Sequence, residues 1–165
     1  VTFIRVVLFR GPTPAKPLPQ LDTTERGNAI WTPGPGGSGR LSMEILPTLA
    51  KMAQYVVPDL TVIDGTVGMQ GNGPIDGFEM LSNVVIAAHH GIAADVVGLR
   101  VMGYELEDVG YLRYAMDLRN LTINDLSVVG SKIEDVRVSY ADHENIVDQM
   151  TWPLEEDWQA VLGRG

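Results

Sequence analysis

Cysteine is absent from the 165-residue chain. This absence excludes disulfides, thiolate zinc sites, cysteine-ligated iron–sulfur clusters and a cysteine nucleophile within the chain. We therefore expect any bound metal to use histidine, aspartate, glutamate or backbone oxygen as ligands. We expect no iron–sulfur cluster to be held by this chain.

Long apolar runs are also absent, although 45% of the residues are apolar. No uninterrupted run approaches the ~20 residues that span a bilayer, so we expect no membrane partner. No basic segment with a cleavage site precedes the first apolar stretch, which predicts a cytoplasmic protein. The apolar content is sufficient for one sizeable core, and we expect residues 1–165 to form a single domain.

Basic charge is scarce in the C-terminal third of the chain, whose overall net charge is −9. Residues 1–104 carry 7 Lys or Arg against 8 Asp or Glu, whereas residues 105–165 carry 5 against 13. Such an acidic region repels phosphate backbones, so we expect no nucleic-acid partner. A solvated acidic surface is the simplest structural interpretation of this charge.

The N-terminal region divides into a short strand and a long irregular segment. Residues 1–9 are rich in β-branched side chains and predict a strand. Residues 11–40 contain 6 Gly and 6 Pro, a density that interrupts helices and strand ladders and predicts irregular structure. We expect the folded core in residues 41–152 and a terminal segment in residues 153–165.

The core alternates between helical and strand patterns, which predicts an α/β fold with a mostly parallel or mixed sheet flanked by helices. Helical spacing in residues 41–57 is followed by an apolar run in residues 60–63, which predicts a buried strand. Residues 83–88 predict a second buried strand and residues 92–102 a helix. We expect the two strands to be adjacent and parallel, with a loop over residues 65–81 between them.

Further elements are predicted towards the C-terminus. The pattern favours a helix over residues 106–118 and short strands over residues 126–129 and 136–140.

A glycine-rich segment follows the first predicted core strand and contains the sequence DGTVGMQGNGP (residues 64–74). Ligands of open α/β sheets bind beyond the carboxyl ends of strands, where glycine amides can surround an anion. The segment lacks the Walker and dinucleotide patterns, so it does not specify a nucleotide. We expect Asp64 to act as a base or cation ligand, with ligand-binding residues Gly65, Gly71, Asn72 and Gly73. Glycines that only form turns are the equally weighted alternative.

His90 and Asp95 are the other candidates for catalysis, because they follow the second core strand. With Asp64 they form a set of side chains that would suit a divalent metal, and the cofactor is otherwise left open. The structural alternatives are a capping histidine and an aspartate that stabilises the helix dipole. We expect Asp64, Asn72 and Asp95 to share one pocket. If His90 lies beside either aspartate, its pKa should be raised above ~6.5, whereas burial without a partner should lower it.

The chain resembles the family known as domain of unknown function 362 over about residues 41–152. The resemblance lies in PDLTVIDG (58–65), GMQGNGP (68–74), AAD (93–95), MG (102–103) and GYL (110–112). It implies an α/β domain that is often joined to a ferredoxin-like iron–sulfur module, so an iron–sulfur protein is a candidate partner. It also implies glutamate where this chain has Gln70 and aspartate where it has His90.

Two hypotheses about function remain. The first is an enzyme or redox-associated maturation factor with a small-molecule or ion site at the carboxyl ends of its strands. The second is a non-catalytic binding or protein-interaction module that uses the same loop. Whether the chain is an enzyme, and whether it forms a homo-oligomer, is left open by the sequence.

Overall fold

The computed structural model describes residues 4–11, 50, 52–55 and 58–149. The predicted irregular segment beyond Gly11, most of the predicted helix over residues 41–57 and the terminal segment over residues 153–165 lie outside the described residues. The fold that follows is that of the described part.

Four strands form one mixed sheet in the order β2-β3-β1-β4. Strand β1 pairs in parallel with β4 and antiparallel with β3, and β3 pairs antiparallel with β2. The α/β class predicted from the sequence, with a mixed sheet, is thus confirmed. The strands are β1 (Ile4–Arg10), β2 (Thr61–Asn72), β3 (Asp76–Ala88) and β4 (Leu126–Gly130).

The predicted parallel pairing of the first two core strands is wrong. Strands β2 and β3 are antiparallel, with Ile63 opposite Ile86 and Gly71 opposite Gly77. The predicted loop over residues 65–81 is therefore a long hairpin whose turn is only residues 73–75. So short a connection can join only antiparallel strands, because a parallel pair needs a crossover of a dozen or more residues. The many glycines of this segment obscured the strand pattern.

A register shift in β2 between Gly65 and Val67 decides which side chains face the helices. Before the shift, Ile63 lies opposite buried Ile86, while its exposed neighbour Asp64 lies opposite exposed Val85. Because neighbouring side chains point to opposite faces of a sheet, Asp64 lies on the face away from the core.

Helix α1 (Gly91–Val101) lies at the centre of the described structure. One side packs on the sheet through residues such as Ala94 and Val97, which cluster with Leu8 and Ile86. The other side carries Val96, which clusters with residues of the next helix. Each buried valine or leucine contributes about 1.5–3 kcal/mol to stability through burial. A helix covered on both sides leaves few exposed positions, which explains why α1 is mostly apolar.

Further helices in the described part of the chain are α2 (Gly110–Leu118), α3 (Ile133–Val136) and α4 (Ile146–Gln149). The predicted helix over residues 106–118 is confirmed in α2, preceded by the short 3₁₀ turn Leu106–Asp108. The predicted strand over residues 136–140 is wrong, since residues 137–140 join no sheet. Among the residues described, no helix has both the length and the hydropathy needed to cross a bilayer.

Candidate ligand-binding cavity

A cavity of about 650 Å³ lies between β2, α1 and two segments from the C-terminal half of the chain. Helix α1 contributes Asp95, Gly98 and Leu99, and Met102 follows directly after it; their spacing of three and four residues places them on one side of the helix. Strand β2 contributes Ile63 and residues 69–71. The remaining described lining comes from residues 104–112 and from residues 140–146.

Gly98 helps to leave this space open on the side of the helix. A Cβ atom added at Gly98 would lie 3.6 Å from the Cδ1 atoms of Ile63 and Ile86. That distance is ordinary van der Waals contact, so the position has room for a methyl group. A larger side chain would extend into the cavity.

Residues 138–146 form one wall of the cavity beside the end of β2, and we call them the closing segment. The Gly71 N–H donates a hydrogen bond to the Ala141 carbonyl over 2.9 Å. The Ala141 N–H donates to Gln70 Oε1 over 2.8 Å. Asn72 completes the connection, because its Oδ1 accepts from the Glu144 N–H at 2.9 Å. These contacts join parts of the chain that are about seventy residues apart.

Tyr140 anchors the same segment on the inner side of the hairpin. Its hydroxyl lies 2.7 Å from Oγ of buried Ser82 on β3. The hydroxyl passes directly over Gly68, where an added Cβ atom would collide with it. Gly68 is therefore needed for close approach of the tyrosine, not for an unusual backbone conformation.

The glycine amides predicted to bind an anion are already used inside the protein. Gly71 N–H donates to Ala141, and Gly73 N–H donates to the Gly71 carbonyl over 2.9 Å. Gly65 is paired with Val84 within the hairpin. The amides of Gly71 and Gly73 thus donate within the protein, and an anion site at this loop stays a prediction. Of the predicted ligand-binding residues, Gly71 lines the cavity, while Asn72 holds the closing segment.

Asp95 is the predicted catalytic residue that the structure places on the cavity. It lies in the second turn of α1, beyond the first turn where the dipole of the helix would stabilise it. It makes no hydrogen bond or ion pair with any described residue. Part of its side chain is exposed, yet the protein surrounding the carboxyl group raises its pKa through desolvation. A carboxylate on the wall of a concave site is expected to show both the exposure and the raised pKa.

Two tyrosines of the cavity, Tyr104 and Tyr111, have pKa values raised mainly by burial. Burial raises the pKa of Tyr111, and the charge of Asp95 raises it further. Burial, a 2.9 Å hydrogen bond to Asp142 and the charges of Asp142 and Asp108 raise the pKa of Tyr104 to about 12. Both phenols are therefore protonated and uncharged near neutral pH.

Asp64 lies outside the described lining of the cavity. Its Oδ1 accepts hydrogen bonds from the Thr66 hydroxyl at 2.6 Å and from the Thr66 N–H at 3.0 Å. These bonds stabilise the carboxylate and lower its pKa. Asp64 thus stabilises the local chain at the irregularity in β2, as the structural alternative proposed. The predicted pocket shared by Asp64, Asn72 and Asp95 is not formed, since Asp95 alone of the three lines the cavity.

His90 precedes α1 and makes no capping hydrogen bond with its side chain. Its Nδ1 atom is buried without a hydrogen-bond partner. Burial lowers the pKa of His90, and the positive charge of Arg119 lowers it further. The lowered pKa of His90 matches the alternative of burial without a partner, and the cationic charge of Arg119 acts in the same direction. The described residues include no group of three or more His, Asp or Glu that could hold one metal ion, so Asp64, His90 and Asp95 do not form the predicted metal-binding set.

Comparison with known families agrees with the resemblance. Residues 24–100 match the model of a family described as Domain of unknown function (DUF362), which confirms the family resemblance over this part of the chain. The matched region includes β2, β3 and nearly all of α1. The motifs at residues 102–103 and 110–112 lie beyond it. Comparisons with curated proteins and with solved structures found no match.

Proposed function

We propose that this protein binds a small organic molecule in the cavity between β2 and α1. The observation that carries the proposal is the cavity itself, whose volume of about 650 Å³ suits a small organic ligand. Apolar and aromatic side chains dominate its lining, with a few polar groups among them. This combination is typical of sites that bury an apolar ligand and orient it through a few polar contacts.

The surroundings of Ser82 do not support acyl transfer, and we therefore favour ligand binding without catalysis. Its hydroxyl is paired with the Tyr140 hydroxyl, not with a histidine or carboxylate that could remove its proton. A serine nucleophile needs such a base within hydrogen-bond distance. The proposal therefore corresponds to the second hypothesis, a binding module, with its site moved from the hairpin turn to the cavity.

The proposal is tested by isothermal titration calorimetry with two small aromatic probes, 2-phenylethanol and 2-phenylethylamine. We expect saturable binding of at least one probe to the wild type. The variant Ala141→Phe should weaken that binding, because the new ring extends from the closing segment into the cavity. Ile75→Phe is the matched control, since Ile75 is exposed at the hairpin turn and lies outside the described lining. Absence of binding by both probes, or equal binding to both variants, would contradict the proposal.

A further inference from the structure

We propose that the cavity selects organic cations, with Asp95 as the residue that binds an ammonium group of the ligand. This inference rests on the proposed function and adds the chemical class of the ligand. It follows from three features of the described lining: the sign of its charged groups, the missing partner of Asp95 and the aromatic rings beside it.

Acidic side chains are the main charged groups of the described lining. It contains Asp95 from α1 and Asp108 from the 3₁₀ turn, and neither Lys nor Arg is part of it. His143 also faces the cavity, but its Nδ1 atom accepts a hydrogen bond from the Asn145 N–H at 3.0 Å. An anionic ligand would meet the carboxylate of Asp95 directly, whereas the Asp108 carboxylate already accepts a hydrogen bond from the Glu105 N–H at 2.8 Å.

Asp95 makes no ion pair with any described residue, and three described arginines make their contacts with other groups. Arg137 pairs with Glu105 at 3.2 Å, and Arg100 approaches the same carboxylate at 3.9 Å. Arg119 donates to the carbonyls of residues 53 and 54 over 2.8 and 3.1 Å. The carboxylate of Asp95 is therefore exposed and open to a cation supplied by a ligand, with which it can form a charge-assisted hydrogen bond.

The neighbouring side chains suit an organic cation better than a metal ion. Tyr104, Tyr111 and Tyr140 contribute to the lining, and aromatic rings attract cations through their negatively charged faces. The hydroxyl groups of Tyr104 and Tyr140 already bond to Asp142 and Ser82. Hard metal ions need several oxygen ligands, and no metal-binding group of three acidic or histidine residues exists in the described part of the chain. A ligand in which an ammonium group is joined to an apolar body would match both the carboxylate and the aromatic rings of the lining.

The test compares three probes of similar size that differ in charge: 2-phenylethylamine, 2-phenylethanol and 3-phenylpropionate. Calorimetry at pH 7 should show that the ammonium probe binds the wild type most tightly and the carboxylate probe least. The variant Asp95→Asn should weaken binding of the amine by about tenfold, because it removes one charge-assisted contact. Binding of 2-phenylethanol should change little. Asp64→Asn is the matched control, since it removes an exposed carboxylate from outside the described lining.

The outcomes separate this inference from the proposed function. If 2-phenylethanol or 3-phenylpropionate binds the wild type as tightly as the amine, cation selection is wrong while the cavity still binds ligands. If Asp95→Asn weakens all three probes equally, the aspartate shapes the cavity without recognising charge, and the inference is again wrong. If no probe binds the wild type, the proposed function fails as well. The comparison of probes on the wild type requires no variant to fold.

Discussion

The Tyr140 hydroxyl lies 2.7 Å from Ser82 Oγ, and this contact fixes the closing segment against the β2–β3 hairpin. Ser82 is buried, so loss of its partner would leave a polar group with neither water nor protein to bond. The contact is sterically compatible only with glycine at position 68. One wall of the proposed binding site therefore depends on a glycine in the middle of a strand.

We expect Gly68→Ala to destabilise the protein by about 1–3 kcal/mol, because the added methyl group displaces Tyr140. Urea denaturation measures this change in the free energy of unfolding. Gly98→Ala is the matched control and should stabilise the protein by about 0.5–1 kcal/mol, since helix position 98 has room for a methyl group. Equal effects of the two substitutions would show that Tyr140 does not occupy the space over Gly68.

Gln70 uses both ends of its side-chain amide, and we expect Gln70→Glu to be unfavourable for that reason. The amide oxygen accepts from Ala141, while Nε2 donates to the Glu79 carbonyl over 3.2 Å. A carboxylate cannot donate, so the variant should lose about 1 kcal/mol of stability at pH 7. Protonation would restore a donor, so the difference should shrink as the pH falls below ~4.3.

Urea denaturation of this variant at pH 7 and pH 4 tests the account. A loss of stability that is the same at both pH values would show that the donated bond to Glu79 contributes nothing. The variant also introduces the glutamate that the family resemblance implies at position 70.

Asp95→Asn should stabilise the protein at pH 7 while it weakens amine binding. The pKa of Asp95 is raised in the folded state, so folding disfavours the charged form and the cost is present above that raised pKa. The cost disappears as the pH falls below the unfolded-state value of ~3.9. We expect a gain of less than about 1 kcal/mol at pH 7, because solvent screens the exposed part of the side chain. Thermal unfolding at pH 7 and pH 3 measures the difference, and a variant less stable than wild type at pH 7 would contradict the account.

His90 should titrate below its ordinary pKa of 6.5, because burial and Arg119 both disfavour its protonated form. The unfolded state therefore binds a proton at higher pH than the folded state does, so the folded state loses stability as the pH falls below ~6.5. Arg119→Gln should raise the pKa of His90 without restoring it fully, since burial is the larger cause. An NMR titration, with His90→Asn used to assign the signal, checks this expectation. A pKa above 6.5 in the wild type would place a carboxylate beside the imidazole instead.

The sequence correctly predicted the elements that are defined by a local residue pattern. It did not predict the features that depend on residues distant in the chain. The apolar runs of β3 and α1 were recognisable because each is buried along its length. The hairpin was missed because glycines interrupt the alternation of β2, and their fit depends on neighbours such as Tyr140. Strand pairing is decided by these tertiary contacts, which no local pattern contains.

The site was only partly predictable for the same reason. Asp95 was identified from its place after a core strand, and the structure puts it on the cavity wall. Tyr104, Tyr111 and the closing segment were missed because long-range hydrogen bonds bring them together with β2. Asp64 attracted attention as a carboxylate beside glycines, but the register places it on the opposite face of the sheet.

Chemical-shift mapping is the most direct test of the central claim that the cavity binds an organic cation. Titration of isotope-labelled protein with 2-phenylethylamine should shift the backbone amide signals of Gly98, Tyr111 and Ala141, which all line the cavity. The exposed apolar residues Phe9 and Val85 on the opposite face of the sheet serve as the internal comparison. We expect saturable shifts that are confined to the cavity residues. Shifts centred on Phe9 and Val85, or no saturable shifts at all, would show that the amine does not bind in the cavity.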